Sequence, residues 1–183
     1  MTTKITKTEV NYPLLFTISI IPDFDFLFLS FVRHRGPTHS LLFTIIVCLP
    51  FILIYKKKAI PYFLALLSHS IIGDIYGYNG TQLFWPINTD WIYISNINNT
   101  SSALVELFLF IFMMMIMLYN KDLEKILFNK NQRISWLIPL GAVLGPILIN
   151  TSAYNIFFPN LLLVPSLIYM FIFSYAIVGI KNS

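Results

Sequence analysis

Three histidines and four acidic residues stand in or beside the long apolar runs of this chain. Ionisable side chains in such segments are costly, and they usually face a bundle interior, where they pair or bind ions. Imidazole and carboxylate groups without thiolates suit zinc, manganese, iron or nickel. We therefore predict a divalent transition metal, with zinc favoured, and the number of candidate ligands leaves room for two ions. The candidates are His34, His39, His69, Asp23, Asp25, Asp74 and Glu106.

A catalytic metal ion acidifies a water molecule, which can then attack an ester or phosphoester. Glu106, far from the other candidates in sequence, is predicted to act as the general base. Arg33 and Arg35 flank His34 and are suited to clamp a phosphate or carboxylate of the substrate. Three alternatives stay open: the arginines bind lipid headgroups, the aspartates at 23 and 25 cap a helix, and Glu106 favours a helix N-terminus.

The spacing of these residues limits how they can meet. His34 and His39 are five positions apart, which is about 140° on a continuous helix. They converge only if His34 lies in a loop and His39 opens the next helix, a start that the intervening Gly, Pro and Thr favour. His69 and Asp74 have the same spacing, and Gly73 is predicted to end or unwind the helix between them.

The composition is that of a membrane protein. Of the 183 residues, 57% are hydrophobic and 11% are charged, against roughly a quarter charged in soluble domains. The single Cys48 excludes a disulfide framework and a thiolate cluster. The net charge of +4 comes from short basic clusters beside apolar segments, which indicates membrane topology and no nucleic acid partner.

The apolar runs predict an all-α fold, a polytopic membrane bundle of about six transmembrane segments. The first segment is expected to be broken near Pro22, because irregular backbone at membrane depth needs protein or water beside it. We predict one integral membrane domain over residues 1–183, with the motifs in 12–110. The runs cover residues 12–32, 39–55, 59–75, 103–119, 134–150 and 160–180.

The basic residues predict the orientation of this bundle. If Lys56, Lys57 and Lys58 are cytoplasmic, alternation of the segments places ten of the twelve Lys and Arg residues on that side. This agrees with the positive-inside rule. We therefore predict a multi-pass protein of the cell (plasma or inner) membrane, with both termini cytoplasmic and the His/Asp site near the outer face.

Several motifs together carry a family resemblance over roughly residues 15–110. They are His34-Arg35-Gly36-Pro37-Thr38-His39-Ser40, Pro22-Asp23-Phe24-Asp25, Ser68-His69 through Asp74, and the later Gly80 with Leu83-Phe84-Trp85-Pro86. In these motifs the sequence resembles the YdjM-like family of membrane-bound metal-dependent hydrolases.

The resemblance implies a multi-helix membrane protein that binds metal through His and Asp and performs hydrolysis of an unspecified substrate. Members often carry another His in the first segment and a His after the acidic motif, where this chain has Phe26. A site with fewer imidazoles implies weaker metal binding or lost catalysis. The ligands implied by motif are Asp23, Asp25, His34, His39, His69 and Asp74.

Three functions compete at this point. The first is hydrolysis of an ester or phosphoester, lipid-linked or not, with the lipid bilayer as surroundings. The second is an accessory or structural subunit with membrane protein partners and a degenerate metal site. Gly141 and Gly145 are compatible with this function, because glycines four positions apart permit the close approach of another helix. The third is transport of ions or protons, against which the scarcity of ionisable groups in the inner halves of the segments argues.

Overall fold

The computed structural model describes residues 9–28, 34–75, 80–93, 99–128, 132–149 and 160–179. Within these ranges the chain is all-α, with seven α-helices joined by short 3-10 turns and one π-helix. It forms two compact units, Thr2–Ser102 and Ala103–Ser183. The prediction of a single domain over 1–183 stays a prediction. The helices are α1 Tyr12–Ser19, α2 Leu41–Tyr55, α3 Ile60–Ser68, α4 Asn99–Tyr119, α5 Asp122–Phe128, α6 Leu137–Ile149 and α7 Leu163–Val178.

The first apolar run changes its helical form near Pro22, as the sequence predicts. Asn11 caps α1 by accepting a hydrogen bond from the Leu14 N–H at 3.0 Å. The α-helix then ends at Ser19, and a 3-10 helix covers Ile21–Phe28. Proline lacks an N–H and disfavours α geometry in the residue before it, which accounts for the change. The 3-10 helix carries the acidic motif.

The start of α2 differs from the sequence prediction. His39 does not open this helix but ends a 3-10 turn, Pro37–His39. Helix α2 begins at Leu41 because Ser40 is its N-cap, and the Ser40 hydroxyl accepts a hydrogen bond from the Phe43 N–H at 3.1 Å. His39 is therefore fixed immediately before a capped helix.

Helix α3 does not end or unwind at Gly73. It passes into a π-helix over His69–Asp74, and Gly73 lies inside it. A π-helix closes hydrogen bonds between residues five apart. Residues 69 and 74 consequently lie on nearly the same face. Helix α3 also packs against α1 and α2, and the Tyr62 hydroxyl accepts a hydrogen bond from the Asn11 N–H at 3.0 Å.

The segment after the π-helix holds the histidine motif in place. The Arg35 carbonyl accepts hydrogen bonds from the Gln82 N–H at 3.0 Å and from the buried Thr81 hydroxyl at 3.2 Å. Gly80 has a φ of +64°, and a Cβ there would meet the Ile92 carbonyl oxygen at 2.5 Å. In this clamp, residues 80–93, Gly80 fits its close contact, and the buried Leu83 accepts a hydrogen bond through its carbonyl from the Leu41 N–H at 2.9 Å.

The carboxyl-terminal unit consists mainly of apolar helices. Helix α7 packs against α5 and α6, and the Trp136 ring stacks on that of Phe173 with 5.0 Å between centroids. In the described part of the chain, Thr100–Tyr119 is the one helix long and apolar enough to cross a membrane, and two shorter apolar helices cover Ile134–Gly145 and Leu163–Val178. The short α5 was not predicted from the sequence.

Candidate metal centre

Three separate elements of the amino-terminal unit bring His and Asp side chains together. The 3-10 helix supplies Asp23 and Asp25, the turn before α2 supplies His34 and His39, and the π-helix supplies His69 and Asp74. His39 is the centre of this group: its side chain is fully buried, and its two ring nitrogens face different carboxylates.

The Nε2 atom of His39 faces a four-membered cluster. It lies 3.3 Å from Asp23 Oδ1 and 3.6 Å from Asp74 Oδ2. The Nε2 atom of His69 lies 3.3 Å from the same Asp23 oxygen and 3.9 Å from the same Asp74 oxygen. Two imidazole nitrogens and two carboxylate oxygens thus point at one another.

These separations fit the ligand shell of a transition metal ion. Ligand atoms bound to one zinc ion at about 2.0–2.2 Å in a tetrahedron lie about 3.3–3.6 Å from one another. The two distances from Asp23 Oδ1 and the one from His39 Nε2 to Asp74 fall in this range, at 3.3, 3.3 and 3.6 Å. The fourth, from His69 to Asp74, is slightly longer at 3.9 Å. The chemistry of these donors fits a divalent metal, and Asp23, His39 and His69 form a group that could hold one, with Asp74 beside it.

Two atoms of the cluster are buried without a hydrogen-bond partner. They are His69 Nε2 and Asp74 Oδ2, both on the π-helix. A buried polar atom left unpaired costs about 1–3 kcal/mol, and more when it is charged. A cation between the two residues would satisfy both atoms at once, which is a further argument for metal binding.

Asp25 has a different environment, because hydrogen bonds already engage both of its oxygens. Oδ1 accepts from His34 Nδ1 at 2.7 Å, and Oδ2 accepts from the Thr38 hydroxyl at 2.8 Å and from the Arg35 N–H at 3.3 Å. Together with His39, Asp25 and His34 form a second group that could hold a metal ion.

Thr38 connects Asp25 to His39. The Thr38 hydroxyl oxygen lies 3.1 Å from His39 Nδ1. Since this hydroxyl gives its proton to Asp25, it can only accept from His39. The network therefore assigns a proton to His39 Nδ1. His39 Nε2 lies within hydrogen-bond distance of Asp23 Oδ1, at 3.3 Å, and would offer its lone pair to an ion bound in the four-membered cluster. Sequence reasoning assigned Thr38 only a role in starting the helix.

Arg35 reaches the site through its side chain. Its Nε lies 3.5 Å from Asp74 Oδ1, while the other Asp74 oxygen faces the histidines. The ion pair is mostly buried, with 23% of the Arg35 side chain and 6% of that of Asp74 exposed. Arg35 thus compensates part of the negative charge of the cluster and fixes the orientation of Asp74.

The cluster is open to the surroundings on one side. The Asp23 side chain is 41% exposed and that of His69 is 19% exposed, whereas His39 is fully buried. Catalytic metal sites keep one position open, whereas structural sites are closed. Asp23 is the most exposed of the four cluster residues.

The structure describes most of the residues proposed from the sequence. The structure brings together the six residues implied as ligands, although their individual roles stay predictions. Arg35 lies at the site, whereas Arg33 lies outside the described residues. Glu106 is on α4 in the carboxyl-terminal unit, and its role as general base stays a prediction.

An all-α chain with a membrane-length apolar helix and a buried His/Asp cluster defines a class: membrane proteins with a site that could bind metal. The chain belongs to the YdjM inner membrane protein family, whose model matches residues 1–176. The family is known as membrane-bound metal-dependent hydrolases, so the resemblance seen in the motifs is confirmed. Comparisons with curated proteins and with solved structures find no match.

Proposed function

We propose that this protein is a membrane-bound metal-dependent hydrolase of an ester or phosphoester, with its site near the outer face of the membrane. The observation that carries the proposal is the distance of 3.3–3.9 Å that separates the Nε2 atoms of His39 and His69 from the carboxylate oxygens of Asp23 and Asp74. Family membership supports the same activity. Zinc is the favoured ion, since two imidazoles and two carboxylates suit it, and manganese, iron and nickel are alternatives.

In this proposal the four cluster residues would surround the ion, and a water molecule would take a fifth position, an expansion that zinc sites allow. A divalent metal there would supply a Lewis acid and acidify a water molecule for attack on the ester or phosphoester. The protein residues do the rest: the exposed side of Asp23 admits the substrate, and the buried His39 and Asp74 keep the inner side of the site closed to water.

Arg35 has a second proposed role besides its contact with Asp74. Its guanidinium group carries further N–H donors, which suit a phosphate or carboxylate oxygen of the substrate. Because the side chain is partly exposed, these donors can reach a bound anion. Glu106 is proposed as the general base from the sequence alone.

The proposed topology has six membrane segments with both termini in the cytoplasm. Helix α2 supports the orientation, because the site lies at its start and the exposed cluster Lys56–Lys58 follows its end. Fifteen residues at about 1.5 Å each separate the two by about 22 Å. If the lysines are cytoplasmic, as the positive-inside rule favours, the site faces the opposite side.

The test is hydrolysis by protein purified in detergent and loaded with Zn²⁺ or Mn²⁺. The substrates are p-nitrophenyl acetate, p-nitrophenyl phosphate, bis-p-nitrophenyl phosphate and phospholipid in mixed micelles. The variant is Asp23→Asn, and the matched control is Asp90→Asn, which changes an exposed aspartate of the clamp. Metal content is measured by mass spectrometry on the same samples.

We expect turnover of at least one substrate by the wild type and the control, with loss in Asp23→Asn. Bound metal without turnover of any ester or phosphoester would favour the accessory-subunit function. A folded wild type that takes up no metal would contradict the metallohydrolase proposal altogether.

A further inference from the structure

The geometry points to Asp25 as a positioning residue for His39 and His34, and hence to a centre that holds one metal ion with two histidine ligands. This inference rests on the proposed metal site and refines it. The family motifs imply six ligands, and the number of acidic and histidine side chains leaves room for two ions. The contacts of Asp25 separate those six residues into the four that would bind the ion and the pair Asp25 and His34, which are hydrogen-bonded to each other.

The first argument is the distance between Asp25 and His34. Their closest atoms, Oδ1 and Nδ1, lie 2.7 Å apart, which is the length of a charge-assisted hydrogen bond. Two atoms bound to one transition metal ion at about 2.0–2.2 Å lie about 3 Å apart or more. The His34 Nδ1–H therefore donates a hydrogen bond to Asp25 Oδ1. A second ion between these two residues would need a free lone pair on each of the two atoms.

The second argument is the relay from His39 through Thr38 to Asp25. His39 Nδ1 lies 3.1 Å from the Thr38 hydroxyl and 3.4 Å from Asp25 Oδ2. Metal-binding histidines commonly donate their other ring N–H to a carboxylate or another acceptor, which fixes the tautomer and the ring orientation. The side chain of Asp25 is fully buried, as suits a group that acts on the ligand and not on the substrate.

The third argument is the contrast with Asp23, two residues earlier on the same 3-10 helix. Asp23 faces the Nε2 atoms of both His39 and His69 at 3.3 Å, and 41% of its side chain is exposed. Asp23 thus faces the Nε2 atom of the His39 ring, and Asp25 faces its Nδ1 atom. One completes the ligand shell at Nε2, and the other holds the proton at Nδ1.

The inference is tested by counting ions and imidazoles in zinc-loaded protein in detergent. Mass spectrometry gives the ratio of zinc to protein, and zinc-edge X-ray absorption gives the number of bound imidazoles. His34→Ala and His69→Ala form a matched pair. We expect one ion with two imidazoles in the wild type and in His34→Ala, and loss of the ion in His69→Ala. A chelator competition should show that Asp25→Asn keeps one ion, bound about 10–100-fold more weakly.

Two ions in the wild type, or an imidazole that disappears in His34→Ala, would overturn the inference while leaving the proposed metal site intact. So would an Asp25→Asn protein with unchanged zinc affinity. A wild type without zinc would overturn the site and the inference together. If Asp25→Asn does not fold, the ion and imidazole counts of the wild type decide the question.

Discussion

His69 and Asp74 stand five positions apart, yet their side chains face the same cluster, with 3.9 Å between Nε2 and Oδ2. On an α-helix this spacing would separate them by about 140°. The π-helix over His69–Asp74 removes that separation. π-Helical segments are rare and frequently occur at functional sites, and here the segment supplies half of the four-membered cluster.

Asp74 is expected to be essential for metal binding. Asp74→Asn removes the negative charge that faces both histidines and the partner of Arg35. We expect zinc affinity to fall by more than about 100-fold, which is the upper end for residues that only support ligands. Competition with a fluorescent chelator measures it. Asp90→Asn is the control, and similar affinities for the two variants would show that Asp74 is not a ligand.

The Thr38 hydroxyl is expected to tune the site without binding the ion. Thr38→Val keeps the shape of the side chain but breaks the relay between His39 and Asp25, so zinc should bind about 10-fold more weakly. Thr38→Ser keeps the hydroxyl and should bind as the wild type does. Equal affinity of the Val and Ser variants in a chelator titration would contradict the relay.

Gly80 in the clamp is expected to tolerate alanine less well than Gly73 in the π-helix. Gly80→Ala places a Cβ at a positive φ and against the Ile92 carbonyl, so we expect a loss of about 1–3 kcal/mol in the free energy of unfolding. Gly73→Ala adds a Cβ where nothing lies within 4 Å. Its stability should change by less than about 1 kcal/mol. Thermal unfolding in detergent compares them, and equal shifts would contradict the clamp geometry.

The orientation in the membrane can be tested with single cysteines in a Cys48→Ala background. Asn88→Cys lies in the clamp, and Lys57→Cys lies in the basic cluster after α2; both positions are exposed. A membrane-impermeant maleimide on intact cells should label the first, and should label the second only after permeabilisation. The reverse pattern would place the site on the cytoplasmic side.

The sequence is sufficient to predict that the His and Asp side chains converge. It is not sufficient to predict which atoms of these side chains face one another. Histidine and aspartate in apolar runs must find partners, which made their convergence predictable. Pro22 lacks the N–H that an α-helix uses, so the change of helix in the first run was predictable too. The loop position of His34 followed from the angle between residues five apart on a helix.

Other features depend on tertiary contacts that the sequence does not reveal. Gly73 suggested the end of a helix. In the structure the chain instead continues as a π-helix through Gly73 to Asp74, after α3 has packed against α1 and α2. The separate roles of Asp23 and Asp25 follow from which nitrogen of His39 each one faces. Two aspartates at alternate positions look equivalent until the orientation of that ring is known.

The four cluster residues come from three stretches that are far apart in the chain, so an ion bound there ties these stretches together. A ligand that binds only the folded state adds about 4 kcal/mol to stability at a concentration 1,000 times its dissociation constant. If zinc occupies the site, copies synthesised during zinc starvation lack this contribution, and we expect them to be more open to membrane proteases. We expect a shorter cellular half-life in zinc-depleted medium, and the same half-life in both media would contradict it. On this proposal, the amount of the protein in the membrane would follow the supply of zinc in the cell.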